Sequence, residues 1–206
     1  DEVELTVLSK DPELTRKQYG LNAVPRFNFV KVISALKKCD VLLSGGGSLL
    51  QDTTSTRSLV YYLSIMQLAK LLGKPVMLYA NGIGPVRKAG NRKKVAGAVQ
   101  DAALVTLRDH SSARELLEMG VKGTELHVTA DPVFRMESAA PACADALIAG
   151  TGLGVGKSFV AVSVRDWESA KQFPEQLAVL CDHLHRTYGM EVLFLLMQPS
   201  ADRATT

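Results

Sequence analysis

Apolar positions along this chain switch between two periods. Val3 to Leu8 alternates apolar and polar residues with Val and Thr enriched, which predicts a strand, and a polar connector carrying Lys10-Asp11-Pro12 follows it. From Phe29 to Lys38 the spacing of Val30, Val32, Ile33 and Leu36 is helical, and Lys37-Lys38 place positive charge where a helix C-terminus favours it. Asp40–Leu43 is strand-like again and stops at three consecutive glycines, Gly45, Gly46 and Gly47. From Ser58 the residues Leu59, Tyr62, Leu63, Met66, Ala69 and Leu72 recur at three and four, and Gly73 closes that helix. At this spacing Met66, Tyr61 and Tyr62 read as packing residues.

The alternation continues. Pro75–Tyr79 predicts a strand ending in the loop Ala80-Asn81-Gly82-Ile83-Gly84-Pro85, and a helix over roughly Arg92–Asp101 follows. Ala103–Leu107 predicts a strand delivering Arg108-Asp109; Ser111 or Ser112 is the expected cap of the next helix, which Gly120 stops. Leu126–Ala130 is a short strand ending at Asp131-Pro132. Strands alternating with helices of about ten residues imply a parallel sheet with right-handed crossovers, so the fold class is α/β: a Rossmann-like parallel-sheet domain with helices on both faces.

Residues 136–157 change character to Ala, Gly and Ser and read as a linker with a short helix around Cys143–Ala149. Beyond it lie a strand, Phe159–Val164, a helix, Pro174–Tyr188, and a strand, Val192–Leu196. The expected organisation is therefore a first domain over 1–135, a linker over 136–157, and the start of a second Rossmann-like domain over 158–206. With no initiator Met and an end soon after a strand-like run, the chain is expected to be a piece of a longer protein.

Four segments rich in glycine or charge occupy the same place relative to their strands. Gly45–Gly47, Asn81–Pro85, Arg108-Asp109 and Asp131-Pro132 each follow a strand's C-terminal end. In a parallel sheet those ends share one edge, the edge where such folds bind ligands. Residues without Cβ let a ligand approach the backbone, and the helix start after the triple glycine favours an anion; a tight connection with no ligand is the plainer reading of the glycines alone. Arg108 offers a planar fork matching carboxylate or phosphate, or else a structural ion pair with Asp109 or Asp131. Asp131 and Asp52 are the candidate carboxylates for acid/base work, although Asp-Pro is also an ordinary strand terminator.

Composition narrows the classes. A hydrophobic content of 47% over 206 residues allows a sizeable core and excludes disorder. No apolar run approaches the roughly 20 residues that span a bilayer, and the acidic start Asp1-Glu2-Val3-Glu4 is unlike a signal peptide, so the expected compartment is cytoplasmic. A net charge of +3 is too mild for nucleic-acid binding. The basic cluster Arg87-Lys88 with Arg92-Lys93-Lys94 is either a solvated helix start or a contact for anionic substrate or lipid head groups. Cys39, Cys143 and Cys181 have no metal-like spacing, His183 and His185 point to different faces of one helix, and no cofactor or metal is expected. No serine sits in a nucleophile elbow. Gly152–Ser158 is one residue short of a P-loop and precedes a strand, so it is rejected as one.

Four motifs in order carry a resemblance: DVLLSGGGSLLQD (Asp40–Asp52), GKPVMLYANGIGP (Gly73–Pro85), VTLRDHS (Val105–Ser111) and VTADPVF (Val128–Phe134). Together they resemble the polysaccharide pyruvyl transferase family, and most of all its bacterial cell-wall branch, CsaB. The match runs from about Gly20 to Phe134, and VSVRDW (Val162–Trp167) resembles the strand opening the family's second domain. The resemblance implies an architecture similar to GT-B glycosyltransferases, its second domain truncated here, with phosphoenolpyruvate as co-substrate. The implied acceptor is N-acetylmannosamine of a lipid-linked cell-wall precursor, pyruvylated as a ketal so that the modified polymer anchors S-layer proteins; the enzyme itself is expected in the cytoplasm at the inner face of the membrane, with peripheral membrane contact. Arg108 matches a family arginine implicated in donor binding. Gly45–Gly47 with Ser48, Gly82 and Gly84 match the glycine loops, and Asp109 and Arg165 lie in the matching motifs. Asn81 stands where the family more often has Gln. The family's Arg-Leu-His motif is expected beyond Thr206, so this chain alone is expected to be inactive. The rival expectations are a GT-B-like glycosyltransferase using a nucleotide sugar and a non-catalytic binding module.

Overall fold

The computed structural model describes residues 3–53, 55–153, 156–164 and 172–197. Arg165 lies outside the described residues. The chain divides into two compact units, Asp1–Met136 and Glu137–Thr206.

The first unit opens with β1 (Thr6–Ser9), α1 (Pro12–Tyr19) and β2 (Asn22–Pro25), with β1 and β2 parallel and Thr6 opposite Asn22. The expected polar connector is thus a helix and a strand. No residue of α1 is buried, so no apolar stripe announces it. Its ends are set by local chemistry instead: Asp11 accepts the Leu14 N–H at 3.0 Å, Pro12 begins the first turn, and Gly20 leaves the helix at φ +67.

The next elements form the body of this unit. These are α2 (Phe29–Lys38), β3 (Leu42–Gly45), α3 (Thr56–Leu71), β4 (Val76–Asn81), α4 (Ala89–Gln100), β5 (Leu104–Leu107), α5 (His110–Glu118) and β6 (Leu126–Val128). Strands β3, β4, β5 and β6 lie side by side in chain order as one parallel sheet. Its register sets Ser44, Leu78, Val105 and Leu126 on one face and Leu43, Met77 and Leu104 on the other. The core lies on the first of these. Leu78 and Val105 are fully buried there with Val32 and Leu36 of α2, Leu59 and Leu63 of α3, Val95 and Val99 of α4 and Leu116 of α5. Each such side chain contributes about 1.5–3 kcal/mol by leaving water. On the other face Leu43, Tyr79 and Leu104 are exposed.

Ladder regularity breaks once in this sheet. Leu78 pairs with Val105 and Asn81 with Leu107, so β4 holds one residue more than β5 between those pairs. Beyond β6, Pro132–Arg135 makes one 3₁₀ turn.

The second unit contains α6 (Pro141–Ala149), β7 (Phe159–Val162), α7 (Phe173–Tyr188) and β8 (Glu191–Phe194). Strands β7 and β8 are parallel, with Phe159 opposite Glu191, and α7 connects them, ending at Gly189 with φ +64. Both units have the expected α/β character with Rossmann-like parallel sheets. Among the described residues no helix is long and apolar enough to cross a membrane.

Candidate functional site at the strand ends

The C-terminal ends of β3, β4, β5 and β6 meet at one sheet edge, because four parallel strands laid side by side leave their C-termini adjacent. At the centre is Arg108, directly after β5, with about a third of its side chain exposed. Its Nη2 donates to Ser48 Oγ at 2.8 Å, and Nη1 and Nε reach Asp131 Oδ2 and Asp109 Oδ2, each at 3.4 Å. The loops after three other strand ends are thus represented around one guanidinium, since Gly82 lies beneath it: a Cβ there would stand 2.6 Å from Arg108 Nε and 2.7 Å from Cζ.

Both carboxylate contacts are long against the roughly 2.7–2.9 Å of a tight charge-assisted bond. The guanidinium is therefore oriented without being saturated, and its exposed part remains able to take an anion. The same two carboxylates offset its charge, so an anionic ligand competes with them.

Asp109 has a second task. It caps α5, accepting the Ser112 N–H at 2.7 Å and the Ser111 hydroxyl at 2.6 Å on Oδ1. The cap is Asp109, in place of the Ser111 or Ser112 expected from sequence; Ser111 supports the cap, and buried Ser112 accepts the Ile83 N–H at 2.9 Å. The Ser111 hydroxyl, with the Ser112 N–H and hydroxyl and Arg108, outweighs burial and holds the Asp109 carboxyl down at about 2. Asp131 likewise divides its oxygens, Oδ1 accepting the Val133 N–H at 3.1 Å while Oδ2 faces Arg108.

The two glycine loops are zipped to each other. Gly46 N–H donates to Tyr79 O at 3.1 Å, Gly82 N–H to Gly47 O at 3.1 Å and Gly84 N–H to Leu50 O at 2.9 Å. Three of the amides expected to face a ligand are thereby engaged within the protein. Gly46 and Gly47, at φ +74 and +69, make the left-handed turn that brings Ser48 to Arg108. Gly45 has ordinary φ but sits close against Leu43 and Tyr79, where a Cβ would meet carbon at 3.0 and 3.2 Å.

Asn81 is fully buried, its Nδ2 donating to Ser44 O at 2.6 Å while its Oδ1 has no hydrogen-bond partner. Asp52 is engaged elsewhere: Oδ1 accepts the Arg87 N–H at 2.8 Å, and Oδ2 accepts the Lys88 N–H at 3.1 Å and Asn91 Nδ2 at 2.8 Å. Burial would push its carboxyl up, but these three donors hold it below the usual range. Asp52, between β3 and α3, therefore ties that segment to the start of α4. Sequence reasoning did not single out Thr106 on β5, whose hydroxyl accepts the Ala80 N–H at 2.7 Å and donates to Leu78 O at 3.2 Å. A threonine in a strand carries no signal of such a role.

The strand ends of this parallel α/β domain thus gather one arginine, a serine and two carboxylates at one sheet edge. The sequence model of the family described as polysaccharide pyruvyl transferase matches residues 1–204, and the chain belongs to that family. No curated protein and no solved structure matches the chain.

Proposed function

We propose that the protein transfers the pyruvyl group of phosphoenolpyruvate to a sugar as a ketal, with Arg108 holding the donor's carboxylate or phosphate. Two sugar hydroxyls add to C2 of the donor as its C–O bond to phosphate breaks; of the two protons they lose, one is matched by the proton that turns the methylene carbon into methyl and the other leaves with inorganic phosphate. Such a reaction needs a cation at the donor and a group that moves protons. The observation that carries the reading is the partly exposed Arg108 guanidinium, aimed by Ser48 at 2.8 Å and only loosely held by its two carboxylates.

Asp131, in contact with Arg108, is the carboxylate we assign to proton transfer. Asp52, with three donors of its own, is assigned to holding the segment after β3 against the start of α4. Gly45, Gly46, Gly47, Gly82 and Gly84 shape the floor, and Asn81 anchors it. The acceptor we propose is an N-acetylmannosamine unit of a lipid-linked cell-wall precursor, as in the CsaB branch, whose pyruvylated polymer anchors S-layer proteins. The exposed Arg87, Lys88, Lys93 and Lys94 fit its anionic lipid end at the inner face of the membrane.

The test is product analysis by mass spectrometry after incubating the complete protein with phosphoenolpyruvate and the lipid-linked amino sugar. Gain of one pyruvyl group with release of phosphate supports the reading. Sugar transfer from a nucleotide sugar, with no pyruvyl product, contradicts it.

A further inference from the structure

The extra residue in β4 is Ala80 or its neighbour Tyr79, and Ala80 is the only non-glycine among the described residues with positive φ, at +47. Its methyl is buried. A buried alanine in the left-handed region is held there by its surroundings, and such strain gathers at functional sites. Bulges in parallel ladders are rare and re-aim the residues that follow them.

What holds this bend is visible. The displaced Ala80 N–H finds the Thr106 hydroxyl at 2.7 Å, and the same hydroxyl donates to Leu78 O at 3.2 Å, so one side chain of β5 fills the place of the interrupted ladder. Immediately beyond the bend, Asn81 O accepts the Arg108 N–H at 3.2 Å, Asn81 Nδ2 reaches Ser44 O, and the bare face of Gly82 lies under the Arg108 guanidinium. A one-residue slip in a strand turns every following side chain to the opposite face. Without the bend, Asn81 would turn away from Ser44 and Gly82 from Arg108.

We infer that Thr106 is a positioning residue for the pyruvyl-transfer site: its hydroxyl fixes the bend at Ala80, and the bend sets where Arg108 lies. Thr106 touches no reacting group and acts through Arg108. The consequence for donor binding rests on the reading that Arg108 holds phosphoenolpyruvate; the consequence for Arg108's placement does not.

Three variants of the complete protein test this, with phosphoenolpyruvate affinity by calorimetry, the Arg108 Nε–H resonance by NMR and melting temperature measured for each. Thr106→Val keeps the shape and removes the hydroxyl, and is expected to weaken donor binding roughly tenfold and to move the Arg108 resonance. Thr106→Ser keeps the hydroxyl and is expected to bind within about twofold of the wild type. Adding Ala80→Gly to Thr106→Val is expected to recover most of the lost affinity, because glycine adopts this φ without a Cβ penalty. If Thr106→Val does not fold, the same comparison is made with Thr106→Cys, whose thiol is a weak partner for an N–H. A lower melting temperature with unchanged affinity and an unmoved Arg108 resonance would overturn the proposal, as would equal loss in Thr106→Ser. If the wild type does not bind phosphoenolpyruvate, the donor reading fails, and the resonance alone decides the role of Thr106.

Discussion

Arg108 lies across the bare face of Gly82, with its Nε and Cζ 2.6 and 2.7 Å from where a Cβ would stand. Nothing larger than hydrogen fits between them while the guanidinium keeps its contacts to Ser48, Asp109 and Asp131. Gly82→Ala should therefore swing Arg108 aside. The obstructed atoms are the far end of a flexible side chain, so the fold survives. We expect a melting temperature close to that of the wild type and donor affinity reduced roughly tenfold or more, the scale of a lost bond to a charged group. Unchanged affinity, measured by calorimetry with phosphoenolpyruvate, would show that this pose of Arg108 is immaterial.

Asp131 should separate binding from turnover. Its carboxylate competes with any anion for Arg108 and, on our reading, also moves a proton. Asp131→Asn is expected to leave the donor's KM unchanged or lower while kcat falls on the order of 100-fold or more, the range of a lost general acid or base. A steady-state comparison with the wild type checks this, and a raised KM with unaltered kcat contradicts it.

For Asp52 the expectation is different, because its carboxylate is tied to Arg87, Lys88 and Asn91. Asp52→Ala removes the acceptor of two exposed backbone N–H groups and of Asn91 Nδ2 and should destabilise the first unit by about 0.5–1.5 kcal/mol. Chemical denaturation reads this directly. Loss of turnover without loss of stability would return Asp52 to the acid/base role first expected of it.

Acid should reveal the Asp109 cap. The folded carboxyl titrates at about 2 against an ordinary 3.8, so its contribution is present above the ordinary value and is lost as pH falls from about 4 towards 2. The group is partly exposed, at 41%, so solvent screening leaves about 1 kcal/mol of the larger figure the shift alone implies. Asp109→Asn, which keeps a capping oxygen, should flatten that part of the stability profile. An identical acid slope in the variant, followed by urea denaturation across pH, counts against the assignment.

Much of this site was legible in the sequence because strand ends carry strong signals. Apolar runs that stop at glycine, at Arg108-Asp109 or at Asp131-Pro132 mark where parallel strands finish, and a shared sheet edge follows from the alternation of strands and helices. The helix α1 escaped because periodicity reports burial, and α1 buries nothing; Asp11-Pro12 and Gly20 were the available signal. Asp52 looked free for chemistry because its partners stand 35 to 39 residues away, a distance in sequence that no local pattern spans. The amides of the glycine loops looked open for the same reason, since Gly46 and Gly82 find their acceptors across the sheet. Nor could Thr106 be read, as its role depends on a one-residue mismatch between β4 and β5 that exists only once the two strands are paired.

The most direct test of the account is the affinity of the complete protein for phosphoenolpyruvate, measured by calorimetry for the wild type and for Arg108→Ala, with circular dichroism confirming that both are folded. The account predicts binding by the wild type and an affinity roughly 10- to 150-fold weaker in Arg108→Ala, as expected for removal of a charged hydrogen-bonding partner. Equal affinity in the two folded proteins would contradict it.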